Sequence, residues 1–524
     1  MNDRDDHANP VPRRFNAATH FIDQHLDAGR LDKIAYIDDE GRYPYGELAV
    51  RVNQCGNVLR NAGLGAEARI AMIMQDSIDF VSVFWGAIKA GIVPVPINTL
   101  LTAEHYRYIL QDSRAQILVV SAALYPVVAE ALGDQPALSE VIIADGAIDG
   151  MPSLDALRTA ASGSLACADT CADEVAFWLY SSGSTGNPKG VKHLHRSLMY
   201  TANAFGRDVL GIREDDIVYS AAKLFFAYGL GNGMTFPLAV GATTILTRER
   251  PTPALVLALL RRDSATVYFG VPTLYAAILA DEATRAEPGS SRLRLCISAG
   301  EALPEATGRR WQERFGVPVI DGVGSTEMLH IFLSNRPDDV RYGASGLPVP
   351  GYAAKLVDDA GEVITAAHEI GELAVSGDSS AEGYWNQIEK SRRTFAGTWT
   401  FTGDKYFRDE QGYYHFCGRT DDMFKSGGNW VSPFDVETVL MTHPEVVEAA
   451  VVAHADGDGN IKPKAFVVLR NRAPASAYAE RERELQDFVK QHTEKWKYPR
   501  WIEFIEELPK TATGKIQRYK LRAP

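Results

Sequence analysis

At 524 residues, 46% of them hydrophobic and 23% charged, the chain is long enough for two or more cores and has the composition of a soluble globular protein. Its 54 basic and 67 acidic residues leave a net charge of −13, which excludes bulk nucleic-acid binding through a basic face. Five scattered cysteines (Cys55, Cys167, Cys171, Cys296, Cys417) point to a reducing compartment without a disulfide framework, and Cys167 and Cys171 lack the nearby histidine pair of a zinc site.

Residues 1–14 are polar, carry both charge signs and have no apolar signal core, so they read as a mobile arm and not as a targeting peptide. No stretch reaches the ~20 apolar residues of a membrane span. The nearest, 80–91, is short and contains Lys89, so a cytoplasmic protein with no membrane partner is expected. Residues 52–62 read as a surface helix ending at Gly63, and 70–74 as a strand. Ser77 can cap a helix running to Ala90 with Gly91 as its stop. Residues 92–96 form a short extended segment, Thr102 caps a helix to Gln111, and 117–120 is a strand. This alternation implies a largely parallel sheet covered by helices. The Ala, Ser, Asp and Gly-rich stretch 145–173 is a connector.

A buried strand over 175–180 then ends in Tyr180-Ser181-Ser182-Gly183-Ser184-Thr185-Gly186-Asn187-Pro188-Lys189-Gly190. Glycines let backbone N–H groups approach a polyanion, hydroxyls add donors and Lys189 adds a point charge, which suits a triphosphate. Taken alone, such a run is also an ordinary polar surface loop. It is not a Walker A sequence, because Pro188 stands five residues after Gly183 and Lys189 precedes Gly190.

Beyond the loop, strands are expected at 217–220, 243–246, 266–269 and 293–298, with helices at 253–262 and 273–280. After about Gly343 the texture becomes β-rich, with short strands at 354–357, 359–361 and 372–376. Strands at 449–452 and 465–469 and a charged helix at 479–491 predict a compact α+β C-terminal domain.

Four further stretches carry chemistry. Ser298-Ala299-Gly300-Glu301 follows a buried strand, where an open α/β sheet binds ligands, and its small residues leave room for a flat ring. Asp321-Gly322-Val323-Gly324-Ser325-Thr326-Glu327 offers a carboxylate after a flexible turn, a fit for Mg²⁺. Asp404 in Thr402-Gly403-Asp404 can accept from two ribose hydroxyls, and Arg419 and the hinge-like Ser426-Gly427-Gly428 follow. Lys515 lies in Leu508-Pro509-Lys510-Thr511-Ala512-Thr513-Gly514-Lys515-Ile516.

The loop spacing resembles the phosphate loop of the adenylate-forming superfamily, which comprises acyl-CoA synthetases, adenylation domains and luciferases. All five stretches stand in that superfamily's order, over roughly residues 15 to 520. The resemblance implies an α/β fold. A large N-terminal region, 15–420, would hold two helix-covered, mostly parallel sheets and a small β-module. A mobile C-terminal domain, 421–524, would be hinged at Asp421. It implies nucleotide contacts from Ser181, Ser182, Gly183, Ser184, Thr185, Gly186 and Lys189, and from Ala299, Gly300, Glu301, Asp321 and Gly322. Thr326 and Asp404 would contact AMP and Arg419 its ribose. Glu327 would bind Mg²⁺, and Lys515 would be the lysine of the adenylation step, with Glu327 and Thr185 beside it in catalysis.

Phe226-Ala227-Tyr228-Gly229 and the run 324–332, with Gly324, His330 and Ile331, resemble the acyl pocket of benzoate–CoA ligases in the aryl-CoA ligase branch. His330 also reads as an ordinary core histidine. Residues 429–433 resemble the same branch, so Lys425, Ser426, Gly427, Gly428 and Trp430 are expected to line a coenzyme A tunnel. The implied cosubstrates are ATP with Mg²⁺, coenzyme A and an aryl carboxylate. Burying a phenyl ring of ~100 Å² is worth ~2.5 kcal/mol, enough to select a ring but not its substituents. A homodimer and acetylation of Lys515 by a lysine acetyltransferase, with a deacetylase to reverse it, are expected by resemblance only. The rivals are an adenylation enzyme that loads a separate carrier protein (no attached carrier is seen before Pro524), a luciferase-like oxygenase, and a nucleotide-binding protein without catalysis.

Overall fold

The computed structural model describes residues 11–133, 135–183, 186–427, 429–457, 459–471, 478–510 and 516–522. Most of the expected arm therefore lies outside the described residues. Its last residues, Arg13 and Arg14, are tied to the connector, where the Ala172 N–H donates to the Arg13 carbonyl and Arg14 bridges Cys171. The chain divides into two compact units, residues 1–354 with 375–400 and residues 355–374 with 401–524.

The first unit contains two parallel sheets. In the four-stranded one the order is Val93–Pro96, Arg69–Ile73, Ile117–Ser121, Glu140–Ala144, with every pair parallel. Its strands are nearly continuous apolar runs because helices cover them. Ser77 Oγ accepts from the Phe80 N–H to start the helix Ile78–Ala90, and Gly91 ends it at φ +78°. Thr102 precedes the helix Ala103–Ser113, but its hydroxyl bonds His105 Nδ1 at 2.8 Å and caps no backbone N–H.

The expected surface helix is longer, Tyr45–Asn61, and half buried. It crosses Ile78–Ala90 at glycines. A Cβ on Gly56 would sit 2.7 Å from the Gly86 carbonyl oxygen, and one on Gly86 2.7 Å from that of Val52. The pattern missed this because the contact is made by absent side chains.

The nine-stranded sheet runs Leu347–Pro348, Ile331–Ser334, Val319–Gly324, Leu295–Ser298, Val267–Gly270, Ile217–Ser220, Thr243–Ile245, Ile34–Ile37, Arg42–Pro44. The strands from Val319–Gly324 to Ile34–Ile37 are parallel, and antiparallel strands finish both edges. Tyr219, Leu257, Leu260, Tyr268, Tyr275 and Trp311 form the core on one face. Pairing of Ser298 with Asp321 brings two strand ends level, the position where such sheets bind ligands. The strand Val175–Gly183 returns as Gly186–Leu194, which also pairs with Gly383–Tyr384.

In the second unit Ala353–Val357 pairs with Val363–Ile364. The expected strand at 359–361 is instead the turn between them, because Asp358 Oδ1 accepts from the Ala360 and Glu362 N–H groups. Trp399–Arg408 pairs with Tyr414–Arg419. The sheet Val446–Ala455, Ile461–Leu469, Trp501–Phe504 packs the helices Pro433–Thr442 and Tyr478–His492 around Val436, Leu440, Val451, Leu485 and Val489. The architecture is the expected α/β body with a β-module and an α+β C-terminal part. Among the described residues no helix is long and apolar enough to cross a membrane.

Candidate active site

The loop hairpin is fixed by aromatic packing. Trp178 lies against Trp385, ring centroids 4.8 Å apart, and Gly190 fits between them and Tyr180, where a Cβ would meet all three at 3.3–3.4 Å. Tyr180 donates to Asp112 Oδ2 at 2.6 Å, which pins the strand just before the loop. Ser181 Oγ is buried without a hydrogen-bond partner among the described residues, a polar atom that suits a ligand.

Strand register places Lys189 opposite Ser181. Its Nζ lies 3.7 Å from Glu327 Oε1 and 4.2 Å from the Tyr384 ring centroid. The Tyr384 hydroxyl donates to the same Oε1 at 2.8 Å. Among the described residues no cluster of three or more His, Cys, Asp or Glu could cage a metal. One carboxylate beside a phosphate loop nevertheless fits Mg²⁺, which takes one or two carboxylates and completes its shell with phosphates and water.

At the paired strand ends, Asp321 Oδ2 accepts from the Leu303 N–H at 3.4 Å, and Oδ1 has no partner among the described residues. Burial pushes this carboxyl up to about 8, so it is neutral at pH 7. Gly300 at φ +94° turns the chain, and a Cβ there would meet nothing within 4 Å, which leaves space beside Ala299 for a flat ring.

Ala227 opens the short helix Ala227–Leu230. Gly229 is not room for a substrate ring, as its small size suggests: the Lys223 carbonyl oxygen lies 2.0 Å from where a Cβ would stand. Gly231 and Gly324 likewise make way for His330. The His330 Nε2 lies 3.1 Å from Asn232 Oδ1 and 3.3 Å from the Tyr228 carbonyl oxygen, both acceptors, so Nε2 carries the proton. Phe205, Tyr228 and Phe236 surround the ring, and burial lowers its pKa to about 3. His330 thus ties Tyr228 to Asn232 as a neutral ring. The Tyr228 hydroxyl is pinned by the Gly270 and Ile297 carbonyls at 3.2 and 3.3 Å, and Ile331 is buried in its strand.

In the second unit, Asp404 and Arg419 face each other across paired strands, with Arg419 Nη1 donating to Asp404 Oδ1 at 2.7 Å. Gly403 at φ +71° admits the guanidinium, because a Cβ would be 3.0 Å from Nη2. Lys425 lies over the Trp430 ring at 4.7 Å, and Ser426 pairs with Asn429. Asp421 is exposed and its carbonyl accepts from Arg522. Ser184, Thr185, Gly428 and Lys515 lie outside the described residues.

Comparison with known proteins gives these groups a common setting. Residues 23–385 match the AMP-binding enzyme family and residues 435–515 its C-terminal domain. The chain belongs to the AMP-binding enzyme family. It is 54% identical to the benzoate–CoA ligase of Thauera aromatica, over 99% of this chain and 98% of that one. It is 52% identical to the 4-hydroxybenzoate–CoA/benzoate–CoA ligase of Rhodopseudomonas palustris, over 97% and 94%. A benzoate CoA ligase structure from Burkholderia xenovorans LB400 superposes with a TM-score of 0.88 at 47% identity, covering 97% of this chain and all of that one.

This AMP-binding enzyme is thus a ligase that works with ATP, Mg²⁺ and coenzyme A. Its fold brings Lys189 to Glu327, Ser298 to Asp321, Tyr228 to His330, and Asp404 to Arg419. Sequence reasoning missed Tyr384 and Asn232. Asn232 lies three residues beyond Gly229, and no motif marks it. Tyr384 follows Gly383, and its role depends on a hydrogen bond to Glu327, 57 positions away.

Proposed function

We propose that this enzyme ligates benzoate, or a close aryl carboxylate, to coenzyme A through an aryl-adenylate. The observation that carries the reading is the 54% identity to a benzoate–CoA ligase along nearly the whole chain. The buried, uncharged aromatic cluster of Tyr228 and His330 supports it, since a flat ring is favoured there and a charged one is not.

The carboxylate of the acid attacks the α-phosphorus of ATP, and pyrophosphate leaves. Ser181, Ser182, Gly183, Ser184, Thr185, Gly186 and Lys189 cradle the phosphates, and Ala299, Gly300, Glu301, Asp321 and Gly322 border the adenine. Thr326 and Asp404 hold AMP, and Arg419 holds its ribose. Glu327 would hold Mg²⁺, which supplies charge neutralisation on the transferring phosphates. Lys515 stabilises the same charge, so the step is driven by positioning and electrostatics. The C-terminal part then turns about Asp421, and Lys425, Ser426, Gly427, Gly428 and Trp430 guide the thiol of coenzyme A to the acyl-adenylate, releasing AMP. The enzyme acts in the cytoplasm as a homodimer, and acetylation of Lys515 switches off the first step by removing its charge. Light scattering and mass spectrometry of the native protein check these last two points.

The main test is pyrophosphate release with ATP, Mg²⁺ and benzoate, 4-hydroxybenzoate, 2-aminobenzoate, phenylacetate or octanoate, each with and without coenzyme A. Fast benzoate turnover that depends on coenzyme A is expected. Octanoate as the best acid, or adenylate formation indifferent to coenzyme A, would refute the reading. Ala227→Phe should abolish benzoate turnover and leave ATP binding intact; undiminished turnover would remove Ala227 from the pocket.

A further inference from the structure

The segment 381–385 links the loop hairpin to Glu327. The Ala381 N–H donates to the Glu327 carbonyl at 2.8 Å, the Glu382 N–H to the Lys192 carbonyl and the Trp385 N–H to the Gly190 carbonyl. Between these anchors Tyr384 pairs with Val191 and buries its ring, 5.3 Å from that of Phe395. The backbone therefore fixes where this phenol stands. Its hydroxyl donates to Glu327 Oε1 at 2.8 Å and lies 3.4 Å from Thr394 Oγ1, while its face receives the Lys189 ammonium. One side chain thus touches both the acid that would hold Mg²⁺ and the lysine of the phosphate loop.

We propose that Tyr384 is a positioning residue for the metal-bound nucleotide. Its hydroxyl fixes the plane of the Glu327 carboxylate, and its ring holds Lys189 beside that carboxylate until phosphate arrives. Lys189 and Glu327, 3.7 Å apart, neutralise each other in the structure. When the nucleotide enters with its metal, each exchanges this partner for its own target, the phosphate or the cation. Tyr384 keeps the carboxylate aimed during the exchange. This rests on Glu327 being the Mg²⁺ ligand.

A purely structural tyrosine would support the loop equally with and without metal, so the test separates the two conditions. Binding of α,β-methylene-ATP is measured by calorimetry, once with Mg²⁺ and once with EDTA, for the wild-type protein and for Tyr384→Phe. The substitution keeps the ring over Lys189 and removes only the hydroxyl. Loss of one hydrogen bond to a charged group predicts about tenfold weaker binding with Mg²⁺, unchanged binding in EDTA, and no further loss when Glu327→Gln is already present.

Equal weakening in both media, or none with Mg²⁺, would overturn the proposal. If Tyr384→Phe does not fold, Thr394→Val, which removes the neighbour of the hydroxyl, should show the same selective loss at smaller size. An analogue that bound the wild-type protein in neither medium would overturn the ligase reading as well.

Discussion

Asp321 and Asp404 are two aspartates beside glycines on paired strands, and both belong to motifs that promise nucleotide contacts. Their surroundings set them apart. Asp321 is enclosed at the end of a parallel strand, and burial keeps it protonated to about pH 8. Asp404 faces a half-exposed guanidinium and stands on an antiparallel ribbon. The first can donate a hydrogen bond at neutral pH and resists carrying charge. The second is a carboxylate acceptor already aimed by Arg419. One residue type in one kind of motif therefore serves two purposes, and the difference is desolvation.

The largest expected effect separates them on binding. Asp404→Ala removes a charge-assisted hydrogen bond worth about 1.5–3 kcal/mol, so ATP should bind on the order of 10–100-fold more weakly. Stability should change little, because the Asp404–Arg419 pair is partly exposed and such pairs contribute weakly. Calorimetric titration with ATP and a thermal melt together check this. A large drop in melting temperature with unchanged ATP binding would make Asp404 a structural residue.

The contrast also marks what could be read from the chain alone. Strand–loop switches were legible in part: the strand Val175–Gly183 begins where the apolar run put it but continues past Tyr180, and Gly186–Leu194 pairs back along it, so much of the expected loop is a strand hairpin. The strand Ile217–Ser220 and the helix Pro253–Arg262 have the expected bounds. Motif order singled out Glu327, Asp404 and Arg419, and the structure sets Glu327 beside Lys189 and Asp404 against Arg419. It did not reveal that Asp321 is neutral, since burial is a property of the assembled sheet. Nor did it reveal Tyr384, whose partners depend on the pairing of Gly383–Tyr384 with Gly186–Leu194. The meanings of Gly56 and Gly86 were hidden for a related reason: each makes room for a backbone that approaches from another helix.

Buried bases sharpen the comparison at intermediate size. Burial lowers His193 and His330 to about 3, and His25 and His195 to about 4. Each is neutral when folded and binds a proton near pH 6.5 when unfolded. Each therefore favours the folded state above pH 6.5, and that advantage is lost as pH falls from 6.5 toward the folded value, at about 1.4 kcal/mol per unit. Melting temperature at a fixed scan rate should fall steeply between pH 6.5 and 5. His330→Ala should destabilise the fold at every pH, by about 2–4 kcal/mol of packing and hydrogen bonding, and should reduce the pH dependence by one proton. An unreduced slope would mean the ring is charged in the folded protein.

Asp321 acts in the opposite direction. Its carboxyl titrates near 3.9 when unfolded and near 8 when folded, so the folded state holds the extra proton between those values. Stability from this group is full below about pH 4 and is lost as pH rises toward 8. Asn is nearly isosteric with the neutral acid and has no proton to lose. Asp321→Asn should therefore gain on the wild-type protein by about 1.4 kcal/mol for each pH unit as pH rises from 4 toward 8, and converge with it only near pH 4. A variant that melted lower by the same amount at both ends of that range would show that the wild-type group is charged and that Asp321 resembles Asp404 after all.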